Sequence, residues 1–132
     1  MRVADFVAKF IFEELNVHHV FTLTGAGIMH LTDGLACNKE LKTICPHHEQ
    51  TSSMALEAYS RATENIGVGL FTTGPGSTNA ITGLAGAWQD SVPCLFISGQ
   101  VKKSESSSLS NVKNLRQFGV QELDIIPCLL YT

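Results

Sequence analysis

The stretch Gly67-Val68-Gly69-Leu70-Phe71-Thr72-Thr73-Gly74-Pro75-Gly76-Ser77-Thr78-Asn79-Ala80-Ile81-Thr82-Gly83 decides the fold. Gly67–Thr72 carries no charge and alternates little, which suits a strand covered on both faces. Gly74-Pro75-Gly76 then forces a tight turn, since proline breaks a ladder and glycine reaches backbone angles closed to other residues. Ser77–Gln89 is predicted as a helix, with Ser77 or Thr78 capping the turn that opens it. Ala80, Gly83, Ala85, Gly86 and Ala87 leave that helix nearly bare. Helical glycines cost up to about 1 kcal/mol each against alanine, so close packing in this chain or against another subunit should offset them.

The same alternation spreads outward in both directions. Downstream, Pro93–Ser98 reads as a strand. Upstream come a helix at Glu49–Thr63, a strand at Leu41–Cys45 ended by Pro46, a helix at Ile28–Cys37 and a strand at Val17–Leu23. Val3, Phe6, Val7, Phe10, Ile11 and Leu15 recur at helical spacing and give a first helix with one apolar stripe, stopped at Asn16. Linkers of roughly 2–6 residues are those of parallel-sheet units. The fold class is α/β, a doubly wound parallel sheet with helices on both faces. The order of its strands does not follow from the pattern.

After Gly99-Gln100 the character changes. Lys102–Ser110 holds five serines and is expected to be a mobile surface loop. Asn111–Gly119 reads as one more helix or an irregular segment. The apolar run Ile125–Thr132 ends without a cap or closing element, so residues 1–132 read as one domain cut near its C-terminal end.

Composition removes several classes of function. The 132 residues suffice for one domain, and 44% hydrophobic against 16% charged residues excludes a disordered chain. Net charge is −3 and no basic cluster exceeds Lys102-Lys103, so neither nucleic acid nor an anionic membrane has an electrostatic footprint. Apolar runs such as Val92–Ile97 are far shorter than the ~18 residues of a span. Asp5, Lys9, Glu13 and Glu14 interrupt the N-terminus, which does not read as a signal peptide. A cytoplasmic protein is expected. Cys37, Cys45, Cys94 and Cys128 lack the spacing of a metal site, and Cys45 and Cys94 read as core thiols.

In open parallel sheets, ligands bind at the carboxyl ends of the strands. Thr24–Gly27, Pro46–Gln50, Thr72–Asn79 and Gly99–Val101 are the loops that gather there, and Glu49 is their only carboxylate. An acidic residue in the first turn of a helix has an ordinary explanation in the macrodipole, worth ~0.3–1 kcal/mol. His47 and His48 are adjacent, so their side chains diverge; packing or loop hydrogen bonding accounts for them better than metal binding. Gly25-Ala26-Gly27 is a weak hint of a nucleotide, because His30 stands where a dinucleotide fingerprint needs its third glycine.

Taken together, His48-Glu49-Gln50, Thr72 through Gly83, Asp90-Ser91-Val92-Pro93, Ser98-Gly99-Gln100-Val101 and Gln121-Glu122-Leu123-Asp124-Ile125 stand in the order and spacing of one family. From about Arg2 to Pro127 the chain resembles the N-terminal pyrimidine-binding domain of thiamine diphosphate-dependent enzymes, in the acetolactate synthase-like group. The resemblance implies that Glu49 is the catalytic glutamate, hydrogen-bonded to N1′ of the cofactor's aminopyrimidine. Such a bond wants a carboxyl in a mostly apolar pocket, where a proton is readily shared. The activated thiazolium then attacks the carbonyl of a 2-oxo acid such as pyruvate and acts as electron sink for decarboxylation. By the same resemblance Thr72, Pro75 and Asn79 line the pyrimidine, Gly25 lies beside the cofactor, and Gln121 reaches toward substrate.

Departures from the family pattern narrow the expectation. Leu23-Thr24-Gly25-Ala26 replaces a tyrosine-proline-glycine-glycine loop, and Thr51 replaces the glycine after His-Glu-Gln. Val120 stands where acetolactate synthases commonly place a phenylalanine against the acceptor, which leaves open a carboligase or decarboxylase for another 2-oxo acid. In the family, diphosphate and Mg²⁺ bind a second domain through a G-D-G…N motif. The one Asp-Gly here, Asp33-Gly34, does not fit it. No metal ligand is therefore assigned in this chain, and an FAD site, which would lie in a middle domain, is undecided. The resemblance makes this a piece of a longer chain or the small subunit of a split enzyme, inactive alone and completed in a homo-oligomer or by a partner chain. The alternative is a non-catalytic relative serving as a regulatory or assembly subunit.

Overall fold

The computed structural model describes residues 1–112 and 114–129. Four parallel strands, β1 (His19–Thr22), β2 (Lys42–Ile44), β3 (Gly67–Phe71) and β4 (Cys94–Ser98), form one sheet in the order β2-β1-β3-β4. Around them lie α1 (Val3–Glu13), α2 (Met29–Cys37), α3 (Glu49–Thr63), α4 (Pro75–Asn79), α5 (Ile81–Gln89) and α6 (Ile126–Leu129). The central strand β3 is buried at every residue, while β2 is exposed along its length at the edge.

Strand alternation divides the apolar residues into two cores, one on each face of the sheet. Val20, Val68 and Leu70 point to one side and meet Ala8, Ile11 and Leu35 of α1 and α2. Phe21 and Phe71 point to the other and meet Leu56 of α3 and Ala80, with Phe96 stacked on Phe71 at 5.5 Å. Fully burying a side chain such as Leu56 contributes about 1.5–3 kcal/mol. The doubly wound architecture expected from the alternation is the one observed.

Several local readings need correction. The stripe of α1 is rotated: Ala4, Ala8 and Ile11 are buried, whereas Val3, Phe6 and Phe10 are exposed. Small residues take the inner face because α1 and α2 approach closely. A Cβ on Gly34 would lie 2.6 Å from the Ala4 carbonyl oxygen. Phe6 and Phe10 stack on each other outside, with ring centroids 6.3 Å apart.

The single helix expected at Ser77–Gln89 is two, α4 and α5, divided at Ala80, whose N–H bonds back to the Ser77 carbonyl at 3.1 Å. Neither Ser77 nor Thr78 caps it. Ser77 Oγ donates to the Thr72 carbonyl, Thr78 Oγ1 donates to the Pro75 carbonyl, and Pro75 occupies the first turn.

Cys45 is exposed rather than in the core, because it follows the edge strand β2; Cys94, inside β4, is half-buried. Asn16 ends the first helical segment in a left-handed conformation, φ 52°. Lys102–Ser110 carries two 3-10 turns, at Lys103–Glu105 and Ser107–Leu109, and the described part of 111–119 is irregular. Of the apolar run at 125–132, residues 130–132 lie outside the described residues.

Candidate functional site

Strand order places a topological switch point between β1 and β3. The chain leaves β1 for β2 on one side, then crosses to β3 and β4 on the other. The loops leaving β1 and β3 therefore diverge and open a crevice, the usual ligand position in such sheets. All four loops singled out in the sequence meet at this edge. Gly27 N–H donates to Thr72 Oγ1 at 3.2 Å, joining the first and third. Asn79 Nδ2 donates to Glu49 Oε2 at 3.0 Å, joining the third and second. A Cβ on Gly99 would lie 2.3 Å from the Gly27 carbonyl oxygen, which brings in the fourth.

Glu49 is the first residue of α3, where the positive end of the helix dipole favours an acidic group. His48 is the N-cap, its Nδ1 accepting from Gln50 N–H at 3.1 Å, so loop hydrogen bonding accounts for one of the paired histidines. The Glu49 side chain is turned inward and only 9% of the residue is exposed. Asn79 holds Oε2, whereas Oε1 takes no hydrogen bond among the described residues. Oε1 is not sealed off from solvent. One oxygen is thus fixed and the other left for an outside donor or acceptor.

Gly76 keeps the space beside that oxygen empty, and Gly25 makes room for Thr72. A Cβ on Gly76 would meet Thr72 Cγ2 at 2.5 Å and stand 3.3 Å from Glu49 Oε1. A Cβ on Gly25 would come within 2.4 Å of Thr72 Oγ1. Glu49, Thr72, Asn79 and Gly25 thus form one linked group, with Gly76, which the sequence reading overlooked, at its centre. Its signal was present as the second glycine of Gly-Pro-Gly. Pro75 is exposed beside Gly76 and belongs to the same turn.

Gln121 is brought to the same edge but touches a different part of it. Its carbonyl oxygen packs on Gly74, where an added Cβ would lie only 1.8 Å away. It lines a cavity of about 350 Å³ together with Ala26, Gly27, His30, Thr73 and Val120. Glu49 is not among the residues lining this cavity, so the carboxyl and Gln121 stand at different parts of the edge. Ala26 and Gly27 after β1 and Thr73 after β3 line the cavity on the Gln121 side. Val120 is 79% exposed and presents an aliphatic side chain to this cavity.

Comparison with known proteins bears directly on this geometry. Residues 1–127 match the family described as thiamine pyrophosphate enzyme, N-terminal TPP binding domain. The chain belongs to this family. It is 39% identical over 101 residues to the acetolactate synthase large subunit of Buchnera aphidicola subsp. Acyrthosiphon pisum, covering 76% of this chain and 18% of that protein. It is 43% identical over 93 residues to the mitochondrial acetolactate synthase of Schizosaccharomyces pombe, covering 70% of this chain and 14% of that one. With the large subunit of Porphyra purpurea it shares 47% over 88 residues, 64% of this chain and 15% of the relative. The chain thus spans less than a fifth of the length of these relatives. As a member of the thiamine pyrophosphate enzyme family it has the expected α/β fold, with Glu49 and its neighbours at the switch point.

The residues present suit the aminopyrimidine end of that cofactor. One carboxyl oxygen takes no hydrogen bond among the described residues, Gly76 keeps the space beside it clear, and the flanking groups are the amide of Asn79 and the small side chain of Thr72. Among the described residues no group of three or more His, Cys, Asp or Glu side chains could hold a metal ion.

Proposed function

We propose that this chain is the pyrimidine-binding part of a thiamine diphosphate-dependent decarboxylase or carboligase acting on a 2-oxo acid, pyruvate first among candidates. The observation that carries the reading is the Glu49 carboxyl, buried at the switch point with one oxygen held by Asn79 and the other facing the space over Gly76. Glu49 would hold a proton against N1′ of the aminopyrimidine. Asn79 fixes the carboxyl's orientation, and Gly25, Thr72 and Pro75 would line the ring. A ring seated over Gly76 would keep water from competing for that shared proton, which would strengthen the bond. When bound, the cofactor supplies the electron sink for decarboxylation.

Diphosphate and Mg²⁺ would be held by a domain outside this chain, since Mg²⁺ is commonly bound through one or two carboxylates plus the substrate phosphates. The working form is then an oligomer or a complex with the chain bearing that domain. Among the described residues no helix is long and apolar enough to cross a membrane, which is compatible with a cytoplasmic enzyme.

The test is CO₂ release from pyruvate and other 2-oxo acids by the full-length protein, with and without thiamine diphosphate and Mg²⁺. Turnover that requires the cofactor is expected. Failure with every 2-oxo acid, in a protein that still assembles with partner chains, would favour the non-catalytic subunit.

A further inference from the structure

Glu122 is 6% exposed, and no cation pairs with it among the described residues. Burying a carboxylate without a counter-charge is costly unless hydrogen bonds satisfy it. Glu122 is satisfied by two loops at once. Its Oε1 accepts from the backbone N–H of Ser107 at 2.9 Å and from the Ser107 hydroxyl at 2.7 Å. Its Oε2 faces the N–H of Phe118 at 3.4 Å. The carboxylate therefore fastens the serine-rich segment to the turn that carries Val120 and Gln121.

That turn is held from other directions as well. Gly119 packs so closely that a Cβ there would lie 2.8 Å from the Glu105 carbonyl oxygen and from Val101 Cγ1. Gln100 Nε2 donates to the Leu123 carbonyl at 3.0 Å. Gln121, between these fixed points, has φ 56°, a left-handed backbone that a glutamine keeps only when its surroundings impose it. Its side-chain amide makes no hydrogen bond among the described residues, although it lines the 350 Å³ cavity. A constrained backbone carrying an unengaged amide beside a cavity is an arrangement for presenting that amide to a ligand.

We propose that Glu122 is a positioning residue, whose carboxylate clasps Ser107 to the 118–122 turn and so sets Gln121 and Val120 on the wall of the substrate compartment. The inference rests on the function proposed above and adds to it a residue that sets affinity for the 2-oxo acid without touching the cofactor. Glu122 acts through its neighbours, so its effect falls on substrate binding rather than on Glu49.

The test uses the full-length protein with Glu122→Ala and Glu122→Gln. KM and kcat for pyruvate, or for the best 2-oxo acid found, are measured beside thiamine diphosphate affinity and hydrogen exchange at the Ser107 and Phe118 amides. Glu122→Ala is expected to raise KM about tenfold or more, as misplacement of a binding group does. Cofactor affinity should stay within about twofold. Glu122→Gln keeps an oxygen for Ser107 but sets an NH₂ group against the Phe118 N–H, so it should recover only part of the loss and leave KM raised about threefold. Both amides should exchange faster in Glu122→Ala. KM unchanged in both variants would overturn the proposal, as would a fall in cofactor affinity matching the rise in KM. If Glu122→Ala does not fold, KM of Glu122→Gln decides, a rise of about threefold upholding the clasp and no change overturning it. If the wild-type protein turns over no 2-oxo acid, the proposed function fails and exchange alone judges the clasp: faster exchange upholds it and unchanged exchange overturns it.

Discussion

In the proposed site Glu49 and Gly76 divide one task between them: the carboxyl would supply the chemistry, and the missing side chain the room. Gly76→Ala tests the second half. Its new Cβ would overlap Thr72 Cγ2 at 2.5 Å, and the backbone there is not left-handed, so the variant tests space rather than conformation. We expect a loss of about 1–3 kcal/mol in stability from overpacking and a fall of at least tenfold in thiamine diphosphate affinity. Equilibrium unfolding and a binding titration measure the two. Glu122 offers a pH signature. Its hydrogen bond from the Ser107 hydroxyl, foremost, holds the carboxyl below the usual glutamate range. The charged form is the bonded one, so the clasp is complete above that range and is lost as pH falls through the lowered titration point. In a titration of the labelled protein, the Ser107 amide resonance should move with a midpoint below the ordinary ~4.3. The thiols are a third case. Burial pushes the Cys94 thiol up, whereas Cys37 and Cys45 are exposed, so alkylation at neutral pH should mark the latter two and spare Cys94 until unfolding.

At the scale of elements, the small residues of α5 turn out to have two meanings. Gly83 lies against α3, where an added Cβ would stand 2.6 Å from Ser53 Cβ and 2.7 Å from its carbonyl carbon. A Cβ added at Gly86 would meet nothing within 4 Å outside its own stretch of helix among the described residues. Gly83→Ala should therefore cost about 1–3 kcal/mol, and Gly86→Ala should gain about 0.5–1 kcal/mol through helix propensity. Opposite shifts of the urea midpoint, at unchanged slope, check both. The sequence announced these glycines but not which of them the fold uses, because bareness says that something approaches and not what. Element types were legible wherever period and punctuation agreed: Glu49–Thr63 matches α3 end to end, with His48 before it and the left-handed Glu64 after. The misreadings fall where local signals compete. Phe6 and Phe10 share a period with Ile11, yet close approach of Gly34 to Ala4 gave the inner face to alanines. Ser77 had the chemistry of a cap, yet its hydroxyl serves the end of β3 instead.

For the whole molecule, strand order was the missing quantity. Nothing local to Val20 or Val68 states that they are partners, since that pairing is a long-range outcome of crossover connections and of which faces the helices cover. Once the order β2-β1-β3-β4 is known, the site falls at the divergence of two loops already singled out. The family resemblance had pointed to Glu49, Gly25, Thr72, Pro75, Asn79 and Gln121; it could not supply the cavity beside Gln121 or the hydrogen bonds of Glu122, which depend on how an irregular segment folds back. The proposed enzyme needs a second domain to hold the diphosphate, so the intact protein should run as an oligomer or a complex in a native mass measurement, and a strictly monomeric mass would count against the assembly proposed. The central claim is that Glu49 is the working carboxyl of a thiamine diphosphate site, and Glu49→Gln in the full-length protein addresses it most directly. The variant keeps size and an oxygen but cannot share a proton as a carboxyl does. The account predicts that kcat for cofactor-dependent CO₂ release falls by about 10²–10⁴-fold while the fold is retained. Turnover equal to that of the wild-type protein would contradict it.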